Sequence, residues 1–376
     1  MEQFHFNYKD ISRINRYGFS GRRIGIHLTG ILIGYLIYEI LVYLSLFITD
    51  GEKAQTFWKN YGLLPVLPFT ATDLNPLTTG AMWVGVFAFA AIFFLVSTMA
   101  SKITVEQLRG DVFFSVGNAL SFLKKIWKTV FGSFFGLVLI LFFLFLIPGS
   151  VALLGKIPFL GKPILILASL FAPLAFFIGL LIAFITTVLI ASLFFVPAIA
   201  ATTNTDTFET IYQLFAIVWN QPWRIVGYGI LLLVLKLIFV PIWAIFCLAG
   251  FAIILLPMSY LHTTFIQESM AIANKWLGET LQKFTSLFFQ DNSVIFGIDT
   301  SQLPTATLST TICAIFITLT LICIAAGVLA YLFSLASVGT TLIYTILRKH
   351  IDGQNLLGTI GTVGQAEPVP LPIGDK

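Results

Sequence analysis

Charge is what this chain has least of: Asp, Glu, Lys and Arg together make up 10 % of its 376 residues. Soluble domains carry about a quarter of their residues as charged side chains, so an ordinary water-facing surface is excluded. Hydrophobic residues instead reach 58 %, with a mean hydropathy of +0.95. Apolar runs of roughly 20 residues recur, about the length needed to cross roughly 30 Å of hydrocarbon. The composition predicts an integral membrane protein.

Cysteine and histidine are also scarce, which argues against several kinds of site. The three cysteines lie inside apolar runs, so buried free thiols are predicted and disulfides are not. The four histidines are scattered, with no cysteine or acidic partner at metal-ligand spacing. No phosphate-cradling glycine loop or nucleophile elbow is present. We therefore expect no catalytic residue, no metal and no cofactor, and the small net charge of +4 does not imply nucleic acid.

What the chain does have is six long apolar segments. They predict an all-α, polytopic transmembrane helix bundle in which residues 24–348 form one domain. It is preceded by an N-terminal segment, 1–23, and followed by a tail, 349–376. An amphipathic loop, 258–304, separates the last two spans, and Pro173 divides the apolar run 164–200 into a short buried or re-entrant piece and a span. The predicted spans are about 24–48, 81–100, 130–154, 174–199, 223–256 and 306–347.

The distribution of lysine and arginine predicts the topology. Fourteen of these residues lie in 1–23, 101–128, 201–224 and 348–376, and six lie in the alternating loops. Only Lys236 falls within a span. Because cytoplasmic loops carry the excess of positive charge, both termini are predicted to be cytoplasmic.

The stretch "NTDTFETIYQLFAIVWNQPWR" interrupts the apolar sequence between the fourth and fifth spans. Asp206 followed by Glu209 is a capping-box pattern, and an apolar stripe follows at helical spacing. Trp219 and Trp223 have rings that favour the headgroup level, and Arg224 is available for lipid phosphates. We predict a cytoplasmic elbow: an amphipathic helix lying flat on the membrane surface. A catalytic loop is the disfavoured alternative, because threonines and two capping acids supply no nucleophile–base constellation.

Residues 117–130 show a similar pattern, with apolar residues on one side and lysines on the other. This segment is predicted to be a second elbow. Spans two and three would then duplicate spans four and five, an arrangement that occurs in transporters.

Two ionisable residues fall well inside predicted spans. Glu39 lies about 22 Å and Lys236 about 18 Å from the cytoplasmic ends of their spans, at 1.5 Å per residue. Because an isolated charge at this depth costs at least about 2.5–3.5 kcal/mol, we hypothesise that the two form an ion pair. The functional alternative is a proton or ion relay. A further alternative is that Lys236 snorkels outward.

Small and hydroxyl residues recur at helical spacing. Gly30 and Gly34, and likewise Gly132 and Gly136, form small-xxx-small pairs, which are typical of close helix packing. A hydroxyl stripe in the sixth span is interpreted as packing rather than as a polar path; it comprises Ser334, Ser337, Thr341 and Thr345.

The loop after the fifth span carries apolar residues along one helical stripe. It is predicted to lie on the outer membrane boundary or to dock a partner, with simple lipid contact as the alternative. The stripe comprises Phe265, Ile272, Trp276, Phe284 and Phe288.

Several motifs together resemble a family of bacterial polytopic membrane proteins. They are "GNALSF", "GKIPFLGKPI", "FVPAIAATTNTDTFETIYQLFAIVWNQPWRIVGY" and the closing "YLFSLASVGTTLIYTILRKHIDG", and the resemblance covers roughly residues 100–235 and 328–355. It implies about six spans and a bacterial cytoplasmic (inner) membrane location. Thr210, Tyr212 and Gln213 stand where family members often have Ala and a Ser-Arg pair. The family brings no established activity.

Three functional hypotheses follow. The leading one is a non-enzymatic integral membrane subunit or scaffold that assembles with itself or with other membrane proteins in the lipid bilayer. The second is a transporter or channel with a polar path near Glu39 and Lys236. The third and least favoured is a lipid-acting intramembrane enzyme, for which paired carboxylates or a histidine cluster would be needed.

Overall fold

The computed structural model describes residues 4–61, 68, 74–286, 307–353 and 355–358. All regular structure in these ranges is helical, so the predicted all-α fold is confirmed. The helices are α1 Tyr8–Ser12, α2 Ile14–Gly18, α3 Gly21–Thr49, α4 Gly51–Tyr61, α5 Pro76–Leu108, α6 Val116–Leu154, α7 Gly161–Leu170, α8 Ala172–Thr203, α9 Thr207–Asn220, α10 Pro222–Leu261, α11 Thr263–Ser286 and α12 Leu308–Asp352.

Six of these helices are long and apolar enough to cross a membrane, namely α3, α5, α6, α8, α10 and α12. They coincide in number and order with the predicted spans, so the protein is a multi-pass membrane protein. The shortest has 29 residues and the longest 45. At 1.5 Å per residue these are about 44 and 68 Å long, more than the roughly 30 Å of hydrocarbon.

The break predicted at Pro173 is present, but the piece before it is not buried within the chain, since Gly161 is the only buried residue of α7. Helix α7 ends at Leu170, and α8 begins at Ala172, which places Pro173 in its first turn. Proline has no N–H to donate, and the first turn of a helix is where that donor would have no intrahelical partner.

The chain folds into two compact units. Of the described residues, those within 1–17, 97–233 and 335–376 form the first unit, and those within 18–96 and 234–334 form the second. Two helical segments of the first unit are buried on every side, residues 195–202 of α8 and 337–348 of α12. A helix that is enclosed all round forms the centre of its bundle. The "FVPAIAAT" stretch is therefore a core element of this unit.

In the second unit, α3 packs closely on α5. A Cβ added at Gly30 would lie 2.7 Å from Val96, and one at Gly34 would lie 2.6 Å from Phe89. The two glycines thus let the backbones approach, as the small-xxx-small pattern predicts. Helix α4 covers the far end of this pair, where a buried cluster forms from Tyr38, Val42, Leu46, Phe57 and Met82.

Candidate functional site

The most polar buried region of the first unit lies at the turn between α8 and α9. Asn204 adopts a left-handed conformation with φ of 53° and ends α8, a position that asparagine tolerates. Asp206 then caps α9 by accepting a hydrogen bond from the Glu209 N–H at 2.9 Å. The predicted helix start at Asp206 is confirmed, but the capping box is only half formed, since among the described contacts the Glu209 carboxylate does not bond back to the Asp206 N–H. The Glu209 carboxylate accepts a bond from Gln213 Nε2 at 2.8 Å, so it faces along α9.

Helix α9 folds back along α8, which corrects the predicted flat elbow. Phe184 of α8 contacts Phe215 and Trp219, with ring centroids 5.8 and 5.4 Å apart. Phe184 lies about 28 Å before the end of α8 at 1.5 Å per residue, so the two helices form an antiparallel hairpin. The buried face of α9 includes two polar residues, Thr210 and Gln213, beside its apolar ones.

The aromatic residues of the predicted elbow remain on the surface. Trp219 is 72 % exposed and Trp223 is 85 % exposed, positions that suit contact with a lipid headgroup region. The side chain of Arg224 donates to Gln221 Oε1 at 3.4 Å and is exposed. The turn at Gln221 and Pro222 starts α10.

Helix α9 also packs on α6 through the second glycine pair. A Cβ added at Gly132 would lie 2.8 Å from Thr207 Oγ1, and one at Gly136 would lie 3.1 Å from Ile211 Cδ1. Ser133 Oγ donates to the Thr207 carbonyl at 3.4 Å at the same crossing. The packing predicted for this glycine pair is confirmed, and its partner is α9.

Gln213 connects α9 to α12. Its Oε1 accepts a hydrogen bond from the Tyr344 hydroxyl, while its Nε2 donates to Glu209. Gln213 is 3 % exposed and Tyr344 is fully buried. Arg348 lies within electrostatic range of the same hydroxyl. The Oε1 end of the buried amide therefore joins α9 to α12, whereas its Nε2 end bonds within α9.

Arg109 forms the second part of this region. Its Nε and Nη2 donate to the Leu356 carbonyl at 3.1 and 3.0 Å, and Nη2 also reaches the Thr202 carbonyl at 3.2 Å. Nη1 pairs with Glu106 at 3.1 Å, and Lys102 pairs with the same carboxylate oxygen at 2.7 Å. The Thr202 carbonyl belongs to the last turn of α8, where carbonyls lack intrahelical donors. The guanidinium supplies that donor.

We call these groups the polar clamp: Lys102, Glu106, Arg109, Thr202, Glu209, Gln213 and Tyr344. Sequence reasoning missed the clamp as a whole. Lys102, Glu106 and Arg109 at spacings of four and three do lie on one helix face, and that signal could have found them. The pairing of Gln213 with Tyr344 has no sequence signal, because it joins residues distant in the chain.

The clamp can fix helix ends in register, and its geometry does not resemble a metal centre. Within the part of the chain that the structure describes, no group of three or more His, Cys, Asp or Glu side chains converges as metal ligands would. Glu106 is 8 % exposed, and the donors around it are already engaged. Paired, water-excluded side chains of this kind stabilise one arrangement of the helices.

Glu39 and Lys236 are not joined in the described structure. No ion pair within 4.0 Å connects them among residues 4–61 and 74–286, and Glu39 Oε1 is buried without a hydrogen-bond partner. Lys236 is half-buried in α10. The positions of both residues along their spans predicted a similar depth in the membrane. Depth alone does not determine the direction in which each side chain points from its helix.

The hydroxyl stripe of α12 bonds mainly to its own helix. Thr341 donates to the Ser337 carbonyl at 2.7 Å, and Thr345 donates to the Leu342 carbonyl at 2.8 Å. Ser334 reaches outward and donates to the Gly18 carbonyl at 2.7 Å. All four hydroxyl residues are buried. These contacts agree with the packing interpretation.

The second predicted elbow is not a separate helix. Residues 117–130 form the first turns of α6, which continues unbroken from Val116 to Leu154. No proline or glycine turn separates this segment from its span, whereas Pro222 separates α9 from α10. The resemblance between the two elbows is therefore limited to their amphipathic pattern.

The outer amphipathic stripe is used partly within the chain. Phe265, Ile272 and Trp276 of α11 pack, partly buried, against a core cluster that also includes residues of α12. The side chain of Phe284 and all of Phe288 lie outside the described residues. Phe265, Ile272 and Trp276 therefore do not form an open docking surface.

Comparison with protein-family models, with curated proteins and with solved structures finds no match to this chain.

Proposed function

We propose that the protein is a non-enzymatic membrane subunit or scaffold that assembles with other membrane proteins or with itself. The single observation that carries this proposal is a helical hairpin in which very few residues are buried. Between residues 138 and 184, only Leu141 and Gly161 are buried. We call this segment the apolar hairpin; it comprises the end of α6, α7 and the start of α8.

The apolar hairpin presents large aromatic side chains in several directions. Phe142 and Phe143 are exposed on α6, and Phe176 and Phe177 are exposed on α8. Since lipid tails are as apolar as these side chains, burial from water does not drive association inside a bilayer. Association inside a bilayer is driven by van der Waals packing between helices, and phenylalanine rings provide large, rigid surfaces for such packing. A partner helix bundle against this hairpin fits these properties.

The polar clamp supports the same proposal from the other half of the unit. Its side chains bond to one another and to the Thr202 and Leu356 carbonyls. These bonds hold together the helix ends from which the apolar hairpin extends. We further propose, from the charge distribution and the family resemblance, that this assembly is in the bacterial cytoplasmic membrane with both termini cytoplasmic.

The test is site-specific photo-crosslinking in native membranes. A photoreactive residue is placed at Phe143 or Phe177 on the apolar hairpin, and at Leu237 of α10 as a control that is equally exposed. The hairpin positions are expected to give discrete protein adducts, with a stoichiometric complex in native mass spectrometry. Lipid adducts alone at all three positions, with a monomeric mass, would contradict the proposal.

A transporter or channel is the second candidate, and one observation favours it. Glu39 is a buried acid inside a spanning helix, and intramembrane acids are commonly functional in transporters. Substrate-dependent flux in proteoliposomes, lost in the E39Q variant, would establish this candidate instead.

A further inference from the structure

Glu39 is a buried carboxyl with an unsatisfied oxygen in the middle of a spanning helix. Its side chain is in the buried class at 9 % exposure, and Oε1 has no hydrogen-bond partner. It lies about 27 Å from the start of α3 and about 15 Å from its end, at 1.5 Å per residue. The carboxyl is thus distant from both ends of the helix.

Among the described residues, no lysine, arginine or histidine forms an ion pair with Glu39. The α5 segment Pro76–Val96 and the α12 segment Leu308–Ser334 contain no charged residue, and both belong to the same unit as Glu39. Lys236 forms no ion pair with it in the described structure. Arg23 and His27 precede it on α3, and the nearer, His27, is about 18 Å away along the helix.

The titratable groups around Glu39 are mostly phenols. Tyr35, Tyr38 and Tyr43 of α3 interact electrostatically with the carboxylate. Helix α4 adds Tyr61, which packs on the same cluster as Tyr38. The α12 segment carries only Tyr331 and two cysteines, and the α5 segment carries no titratable side chain.

We propose that Glu39 is a proton-binding site within the membrane. Burying an ionised carboxylate that has no ion-pair partner costs much free energy. Burying the neutral acid costs less, because it carries no charge. Uptake forms an O–H bond on the carboxylate and leaves a neutral acid, and release returns the proton to water. The site does not depend on the subunit proposal, because a scaffold and a transporter could each contain it.

The test uses the apolar reagent dicyclohexylcarbodiimide on the full chain in lipid nanodiscs. The reagent takes the proton of a neutral carboxylic acid while a carboxyl oxygen adds to its central carbon, and the adduct rearranges to a stable acylurea. Peptide mapping is expected to find the adduct on Glu39, with a labelling rate that falls at least tenfold as the pH rises. The E39Q variant is expected to lose the adduct.

The matched control is E52Q, since Glu52 is an exposed acid at the start of α4. E52Q is expected to keep the Glu39 adduct, and Glu52 is expected to react only with a water-soluble carbodiimide. An unlabelled Glu39, or a Glu39 labelling rate that does not change with pH, would overturn the proposal. If E39Q fails to accumulate, the peptide map and pH profile of the unsubstituted protein decide the question.

Discussion

The Tyr344 hydroxyl donates a hydrogen bond to the side-chain oxygen of Gln213, a residue 131 positions earlier in the chain. Both side chains are buried, and the bond joins the middle of α9 to the last turns of α12. The other end of the Gln213 amide is held by Glu209. A single glutamine thereby links α9 to the C-terminal part of the longest helix.

Substitution Y344F tests the energetic weight of this contact. Removal of the hydroxyl leaves Gln213 Oε1 as a buried acceptor without its donor, which is expected to destabilise the protein by about 1–3 kcal/mol. The measurement is the free energy of unfolding in detergent micelles. Y212F is the control, since Tyr212 is on α9 but 59 % exposed, and it is expected to be neutral. Equal destabilisation by both variants would contradict this account of the bond.

Substitution R109K tests the polar clamp. Lysine keeps the charge but cannot donate to the Leu356 and Thr202 carbonyls at the same time, because it lacks the planar fork of arginine. We expect faster hydrogen exchange in peptides that contain residues 200–206 and 355–358. The exposed lysine variant K125A provides the control and is expected to leave both peptides unchanged. Unaltered exchange in R109K would show that the fork is dispensable.

Substitution G132A tests the crossing of α6 and α9. The added methyl group would lie 2.8 Å from Thr207 Oγ1, so the Thr207 side chain or the helices themselves must shift. Overpacking of this kind is expected to cost about 1–3 kcal/mol. G179A, where no atom lies within 4 Å, is expected to be neutral or to stabilise. Thermal denaturation in one detergent compares the two, and similar midpoints would argue against close packing at Gly132.

The proposed topology is tested by cysteine labelling in intact cells. The three native cysteines are first replaced, and S12C, K124C and K156C are then made one at a time at exposed positions. Only K156C is expected to react with an impermeant maleimide from outside, because it lies in a loop opposite the lysine-rich segments. Outside labelling of S12C or K124C would reverse the proposed orientation.

Much of the fold was predictable from the sequence because a bilayer imposes simple requirements on length and hydropathy. The six spans and the break before Pro173 follow from these requirements and from the missing N–H of proline. The N-cap at Asp206 is also local, since the cap and the amide that it bonds are three residues apart. The polar clamp was missed as a whole because the bonds that join its local pairs, Arg109 to Thr202 and Tyr344 to Gln213, connect residues that are distant in sequence.

The sequence by itself determined that this chain has six helices able to span a membrane, that it breaks before Pro173, and that a helix starts after Asp206. Only the tertiary structure decided that α9 folds back along α8 instead of lying flat, and that Glu39 is left without Lys236. The physical reason is the range of the interactions. Helix formation and membrane insertion depend on neighbouring residues, whereas the direction that a buried polar group faces depends on which distant helix packs against it.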